Sequence, residues 1–389
     1  MLKPYTFRRV RGFSLVELMV AVVVGMLAVM FATRLLVTSE SQKSAALGGS
    51  DTMQNGMLAM MQINTDAAQA GWGINDSLVS GCNTQMSDVQ GFQLTKVQHN
   101  GADSTPLAPV VIGYNADRSD TLSLYAGSSA SGVGNVGVGS NYTGEAAITS
   151  NTTTPFNFLQ GDVLVVAPEP AGGDCSMAQL AATPTTNVLS IAASGSFRFN
   201  KGFLMGGNYQ QGQARIYNLG PAAKLAFHTW SVSNGVLMLS ATDLAGTAQN
   251  PQSVVNNVIA IKAEYGFDLR AAAQFNSANS MAVMQWSPTM IDADGDGDTG
   301  GAGDYQRVAA IRLAVIARSS IPEKPDATTG KCTATTAPLD VFTTSVPNGI
   351  AASKVSVKLD VAGDPIDWTC YRYRAFETIV PIRNSGWRP

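Results

Sequence analysis

A short basic leader runs straight into a long apolar stretch, and that stretch carries a single carboxylate. Lys3, Arg8, Arg9 and Arg11 come first with no acid among them, and residues 13–32 are almost uninterruptedly apolar apart from Glu17. About 20 such residues are enough to cross a bilayer as a helix. The clustered cations place the leader in the cytoplasm and send the rest of the chain outward. An ionised acid near the bilayer centre costs about 2.5–3.5 kcal/mol on insertion scales. A passive anchor gains nothing from Glu17, so the sequence predicts a partner for it.

An ordinary secretory signal would put small residues after its apolar region and be cut there. Here the region ends at Phe31-Ala32-Thr33-Arg34 and runs on in helix-compatible sequence, which leaves the anchor in place. Gly12 followed by Phe13-Ser14-Leu15-Val16-Glu17-Leu18-Met19-Val20-Ala21 resembles the prepilin signal of type IV pilins and type II secretion pseudopilins. The resemblance implies that a dedicated prepilin peptidase cuts between Gly12 and Phe13 and methylates the new terminus. It also implies that Glu17, fifth after the cut, pairs with the Phe13 amine of a neighbouring subunit and so sets the register of assembly.

With 389 residues, 45% hydrophobic and 14% charged, the chain can bury one large core or two small ones. Net charge is −3 and the cations cluster in the leader, so nothing resembles a nucleic-acid footprint. Cys82, Cys175, Cys332 and Cys370 are too far apart for a zinc knuckle and lie on the outward side of the anchor, where disulfides form. Four cysteines allow three connectivities and the sequence does not choose among them. The smaller loops favour Cys82 with Cys175 and Cys332 with Cys370.

From residue 39 to about 70 there is no proline, and Leu47, Met53, Met57, Met60, Met61 and Ile63 recur at helical intervals. The expected organisation is a leader over 1–12, removed on processing, then a helix over 13–70 that is transmembrane in its first half. The stem would be about 80 Å long at about 1.5 Å per residue. Gly25 and Gly48-Gly49 are its weak points, and the methionines are expected to pack against the head. Gly71-Trp72-Gly73 should stop the helix, and a mainly antiparallel β head over 71–389 should follow, giving an α+β chain.

Short β-like runs fall at 121–126, 162–167, 188–192, 214–219, 225–232, 235–240 and 258–267. Ser233-Asn234-Gly235 between two of them signals a type I′ hairpin. Residues 126–151, rich in Gly, Ser, Asn and Thr, read as a long mobile loop with too little apolar surface to pack. Gly132-Val133-Gly134-Asn135-Val136-Gly137 matches a dinucleotide fingerprint by letter, yet no helix-forming sequence opens at its last glycine. Residues 258–268, 307–319 and 371–384 are similar to three segments of the head of PilW-type minor pilins.

One cluster has the look of a metal site. Asp292, Asp294, Asp296 and Asp298 alternate within an acidic loop over 292–304, and Gly297 stands where an EF-hand loop makes its sharp bend. The twelfth position is Gly303 instead of a bidentate glutamate, and the nearest acid is Asp304. Calcium is the expected ion, with a solvated acidic turn or magnesium as the alternatives. The two histidines, His99 and His228, sit in no metalloprotease pattern, and no nucleophile elbow occurs.

The resemblance therefore implies a non-enzymatic, PilW-like minor pilin held in the inner membrane with its head in the periplasm. Its partners would be other minor pilins and the major pilin, in a tip complex that primes assembly and holds a large tip adhesin. A J-type pseudopilin of type II secretion is the alternative within the same machinery, and a membrane-anchored calcium-dependent hydrolase is a remote one.

Overall fold

The computed structural model describes residues 12, 14–129, 134–191, 197–200, 206–276, 280–326 and 328–386. Residues 1–11 of the leader and Phe13 lie outside the described residues. A single helix, Leu15–Gln69, runs for 55 residues. It stays helical through Gly25, Gly48 and Gly49, since a lone glycine costs a helix only about 1 kcal/mol relative to alanine. The stop falls where the glycines predict it. Gly71 and Gly73 take φ of +90° and +71°, and the Gly71 amide leaves the helix to donate to the Tyr125 carbonyl at 2.8 Å.

Two compact units divide the chain at residues 1–50 and 51–389. The first carries Leu15–Val37, the segment long and apolar enough to cross a membrane. The second begins within the helix, twenty residues before its expected start at 71, and the reason is packing. Ala59, Ile63, Ala67 and Ala70 are buried in the main core, so this part of the helix belongs to the head. The methionine stripe meets expectation only in part. Met57 and Met61 are 59% and 58% exposed. They sit two residues from Ala59 and Ile63, which is about 200° around a helix of 3.6 residues per turn, so Met57 and Met61 look outward while Met60 and Ile63 pack on the core.

Three larger sheets build the head. The first has the spatial order Gln252–Asn256, Val236–Ala241, Ala226–Ser233, Thr121–Ala126, Val110–Gly113, and the second the order Gln285–Ser287, Val258–Phe267, Val308–Arg318, Tyr373–Pro381. Both are antiparallel throughout, and they share the main core with the helix. Asn234 and Gly235 take φ of +49° and +75° in the turn joining two of these strands, and Ser233 pairs with Val236 across it, as a type I′ hairpin requires.

The third sheet runs Pro106–Leu107, Cys82–Gln85, Cys175–Gln179, Asp162–Pro168, Ala214–Pro221, Asn135–Gly137. Its pairing of Cys82–Gln85 with Cys175–Gln179 is parallel, and the Cys82–Cys175 disulfide crosses those two strands. Cys332–Cys370 is the second bridge.

Residues 126–151 correct the expectation of a loop too polar to pack. They contain the strands Asn135–Gly137 and Ala147–Thr149, and they bury Val138, Tyr142 and Ile148 in an apolar cluster with Leu164, Val166 and Leu189. Few apolar side chains suffice because the neighbouring sheet supplies the rest of the surface. Gly132 and Val133 of the dinucleotide-like run lie outside the described residues, and Gly137, where a helix would have to open, instead ends a strand and leads into the Val138 bridge to Ser150.

The strands Val258–Phe267 and Val308–Arg318 are buried along nearly their whole length, with apolar clusters on both faces. Charges within them are paired. Lys262 Nζ lies 2.8 Å from Asp120, and Arg312 Nε lies 2.6 Å from Glu264 while its guanidinium packs between the rings of Trp286 and Phe342.

Candidate functional sites: the anchor terminus and the acidic loop

At the start of the helix, Ser14 Oγ accepts from the Glu17 amide at 3.3 Å and Glu17 Oε2 accepts from the Ser14 amide at 3.2 Å. This is a capping box, which satisfies two amide donors that the first turn would otherwise leave open. The signal was in the sequence as Ser14-x-x-Glu17, and reading Glu17 only as a membrane charge misses it. Glu17 therefore has a second task besides any pairing with another subunit: it fixes where the helix begins. A Cβ added at Gly12 would meet nothing within 4 Å, while the Phe13 side of the expected cut lies outside the described residues.

The acidic loop brings together three of its four alternating aspartates. Ligand atoms of Asp292, Asp294 and Asp296 lie within 4.8 Å of one another. Each carboxylate also accepts from a backbone amide of the loop: Asp292 from Gly295 at 2.8 Å, Asp294 from Asp296 at 3.3 Å, and Asp296 from Asp298 at 2.8 Å. Gly295 and Gly297 take φ of +80° and +88°, a conformation that side chains other than glycine resist.

Asp298 faces elsewhere. Its Oδ1 meets His99 Nε2 at 2.8 Å and Asn100 Nδ2 at 2.7 Å, tying the loop to the hairpin formed by Val97–His99 and Ala102–Ser104. Those hydrogen bonds hold its pKa below the usual carboxylate value.

Asp304 closes the base of the loop. It is 1% exposed and accepts from the amides of Ala293, Asp294 and Gly300. Burial raises its pKa in spite of those bonds. Asp294 is raised too, first by burial and then by the charges of Asp296 and Asp292. Gly303 leaves room for this arrangement, since a Cβ there would overlap the Asp294 carboxylate.

Both histidines are engaged by carboxylates, His99 by Asp298 and His228 by Asp66 and Asp243. Among the described residues, no serine or cysteine nucleophile is a hydrogen-bond partner of either ring.

Residues 228–384 match the family model described as Type IV Pilus-assembly protein W, and residues 7–33 match the prokaryotic N-terminal methylation motif. A type IV-like pilin from Thermus thermophilus aligns with 58% of this chain and 86% of its own at 14% identity, with a TM-score of 0.20, too loose a superposition to support further argument. No curated protein matches. A methylation motif opening one long apolar helix, followed by a mainly antiparallel β head, is the pattern of a membrane-anchored type IV pilin. The W-type match extends from the strand bearing His228 to the closing segment of the head. Over residues 228–384 the chain is PilW-like, and over residues 7–33 it carries the start of a pilin.

Proposed function

We propose that this minor pilin joins other minor pilins and the major pilin in a complex at the pilus tip, where it primes polymerisation and holds a larger adhesin. Its work is assembly, not catalysis. Before assembly the head stands in the periplasm, with the leader on the cytoplasmic side until prepilin peptidase removes it. The observation that carries this reading is the helix Leu15–Gln69, which links an apolar anchor bearing one acid to a face buried in the head core.

The test is a strain lacking the chain. It should assemble few pili, and complementation with an epitope-tagged copy should place label at pilus ends. Label spread along the filament, or normal piliation in the deletion strain, would contradict a priming role at the tip.

We also propose that Asp292, Asp294 and Asp296 hold calcium, with Asp298 outside the ligand set. Their closeness supports this, and extracytoplasmic calcium is high enough to fill loops of millimolar affinity.

A further inference from the structure

Arg307 is 3% exposed, and its charge has no carboxylate within ion-pair distance among the described residues. Other largely buried cations of the head are paired: Lys262 with Asp120, Arg312 with Glu264, Arg198 with Asp88 and Arg318 with Asp364. Buried charges ordinarily have such partners because desolvation is costly. Arg307 instead uses Nη1 to donate to the carbonyls of Asp268 and Arg270 and stacks on Phe275, with Cζ 3.8 Å from the ring centroid. Its Nε and Nη2 have no acceptor among the described residues. The side chain borders an open depression of about 370 Å³ whose wall also includes Phe275, Asp294 and Asp296.

We infer that this depression takes a carboxylate group, which bridges the free donors of Arg307 and a calcium ion held by Asp292, Asp294 and Asp296. The inference rests on the calcium reading above. Without a metal, Asp294 and Asp296 repel an anion from the depression. With calcium bound, the charges of three aspartates, the ion and Arg307 sum to zero, and the wall facing the depression carries two cationic centres. Three carboxylates also leave calcium short of its usual six to eight oxygen ligands. A carboxylate suits both neighbours, as a hard oxygen ligand for the ion and a planar acceptor for the guanidinium fork. A phosphate dianion would bring an excess of charge.

The test uses the full-length chain in detergent micelles with terbium(III) in place of calcium. Luminescence decays in H2O and D2O count the waters on the ion. Sodium acetate should remove about one or two of those waters, as a carboxylate enters the coordination sphere in mono- or bidentate fashion. Arg307→Lys should weaken the acetate response about tenfold, because lysine lacks the fork, while terbium affinity stays unchanged.

A blocked Gly-Asp-Gly peptide separates two sources of the group. A response to both probes means that a protein side chain can supply it; a response to acetate alone means a free acid. If terbium does not bind, the calcium reading and this inference fall together. If terbium binds and acetate leaves the water count of the unmutated chain unchanged, this inference alone is overturned, whether or not the variant folds.

Discussion

Asp66 on the helix and His228 on the strand Ala226–Ser233 meet at 2.8 Å, carboxylate Oδ2 to ring Nδ1. The same Oδ2 accepts from Trp230 Nε1 at 2.8 Å, and the far ring nitrogen, His228 Nε2, meets Asp243 at 2.8 Å. The last turns of the helix are thus held to the central strand of a sheet by one cation between two acids. Desolvation pulls the His228 pKa down, but the hydrogen bonds to Asp243 and Asp66 outweigh it and raise the value to about 9.

A raised histidine pKa stabilises the fold when the group is protonated. The contribution is complete below the unfolded value near 6.5 and is lost as pH climbs through about 9. The shift corresponds to about 3 kcal/mol. Asp243 has the opposite dependence: its pKa is lowered, as the His228 bond outweighs burial, so its share is lost on acidification. Denaturant midpoints of the detergent-solubilised chain and of His228→Gln should differ most near pH 6 and converge by pH 10. A constant difference across that range would remove the imidazolium from the account.

Gly56 should resist the helix former that propensity recommends. A Cβ there would overlap the ring of Phe376 on the strand Tyr373–Pro381. Alanine gains about 1 kcal/mol of helix propensity, against about 1–3 kcal/mol for overpacking. Gly56→Ala should therefore lower the melting temperature, or at best leave it unchanged. A rise would show that the Phe376 ring yields freely.

Glu17 has two separable tasks. Glu17→Ala removes both the carboxylate expected to pair with a neighbouring subunit and the half of the capping box that reaches the Ser14 amide. Ser14→Ala removes the other half of the box and keeps the acid. If pairing matters most, Glu17→Ala should reduce pilus number sharply while membrane insertion persists, and Ser14→Ala should reduce it little. Equal defects would point to the cap. In the parent strain, mass spectrometry should find a chain beginning at methylated Phe13, and an intact leader would contradict the processing scheme.

The sequence carried most of the fold because much of it is local. The strand Val258–Phe267 announces itself by a run of β-formers, the hairpin at Asn234-Gly235 by its turn chemistry, and the helix end by Gly71 and Gly73. What stayed hidden depends on neighbours distant in sequence. Tyr142 becomes core only because Tyr209 and the sheet beside it come from far along the chain. The helix docks through Ala59, Met60, Ile63 and Ala67, and spacing alone did not tell that Met57 and Met61 of the same stripe would stay exposed. In the acidic loop the spacing of aspartates was legible, but the diversion of Asp298 to His99 and the open donors of Arg307 arise from contacts that spacing does not encode.

Calcium should stabilise the head through Asp294 and Asp296 and not through Asp298. A ligand that binds only the folded state adds about 2.7 kcal/mol at a hundredfold excess over its dissociation constant, which is about 4 °C in melting temperature for a domain of this size. The chain to melt should begin at Asp51, because Ala59, Ile63 and Ala67 belong to the core of this unit. Asp294→Ala combined with Asp296→Ala should abolish the difference between calcium and chelator. Asp298→Ala should preserve it while lowering both melting temperatures, since it frees the hairpin held through His99 and Asn100. If millimolar calcium leaves the unmutated head unchanged, the loop is a hydrogen-bonded acidic turn, and Gly303 at the twelfth position was the better guide.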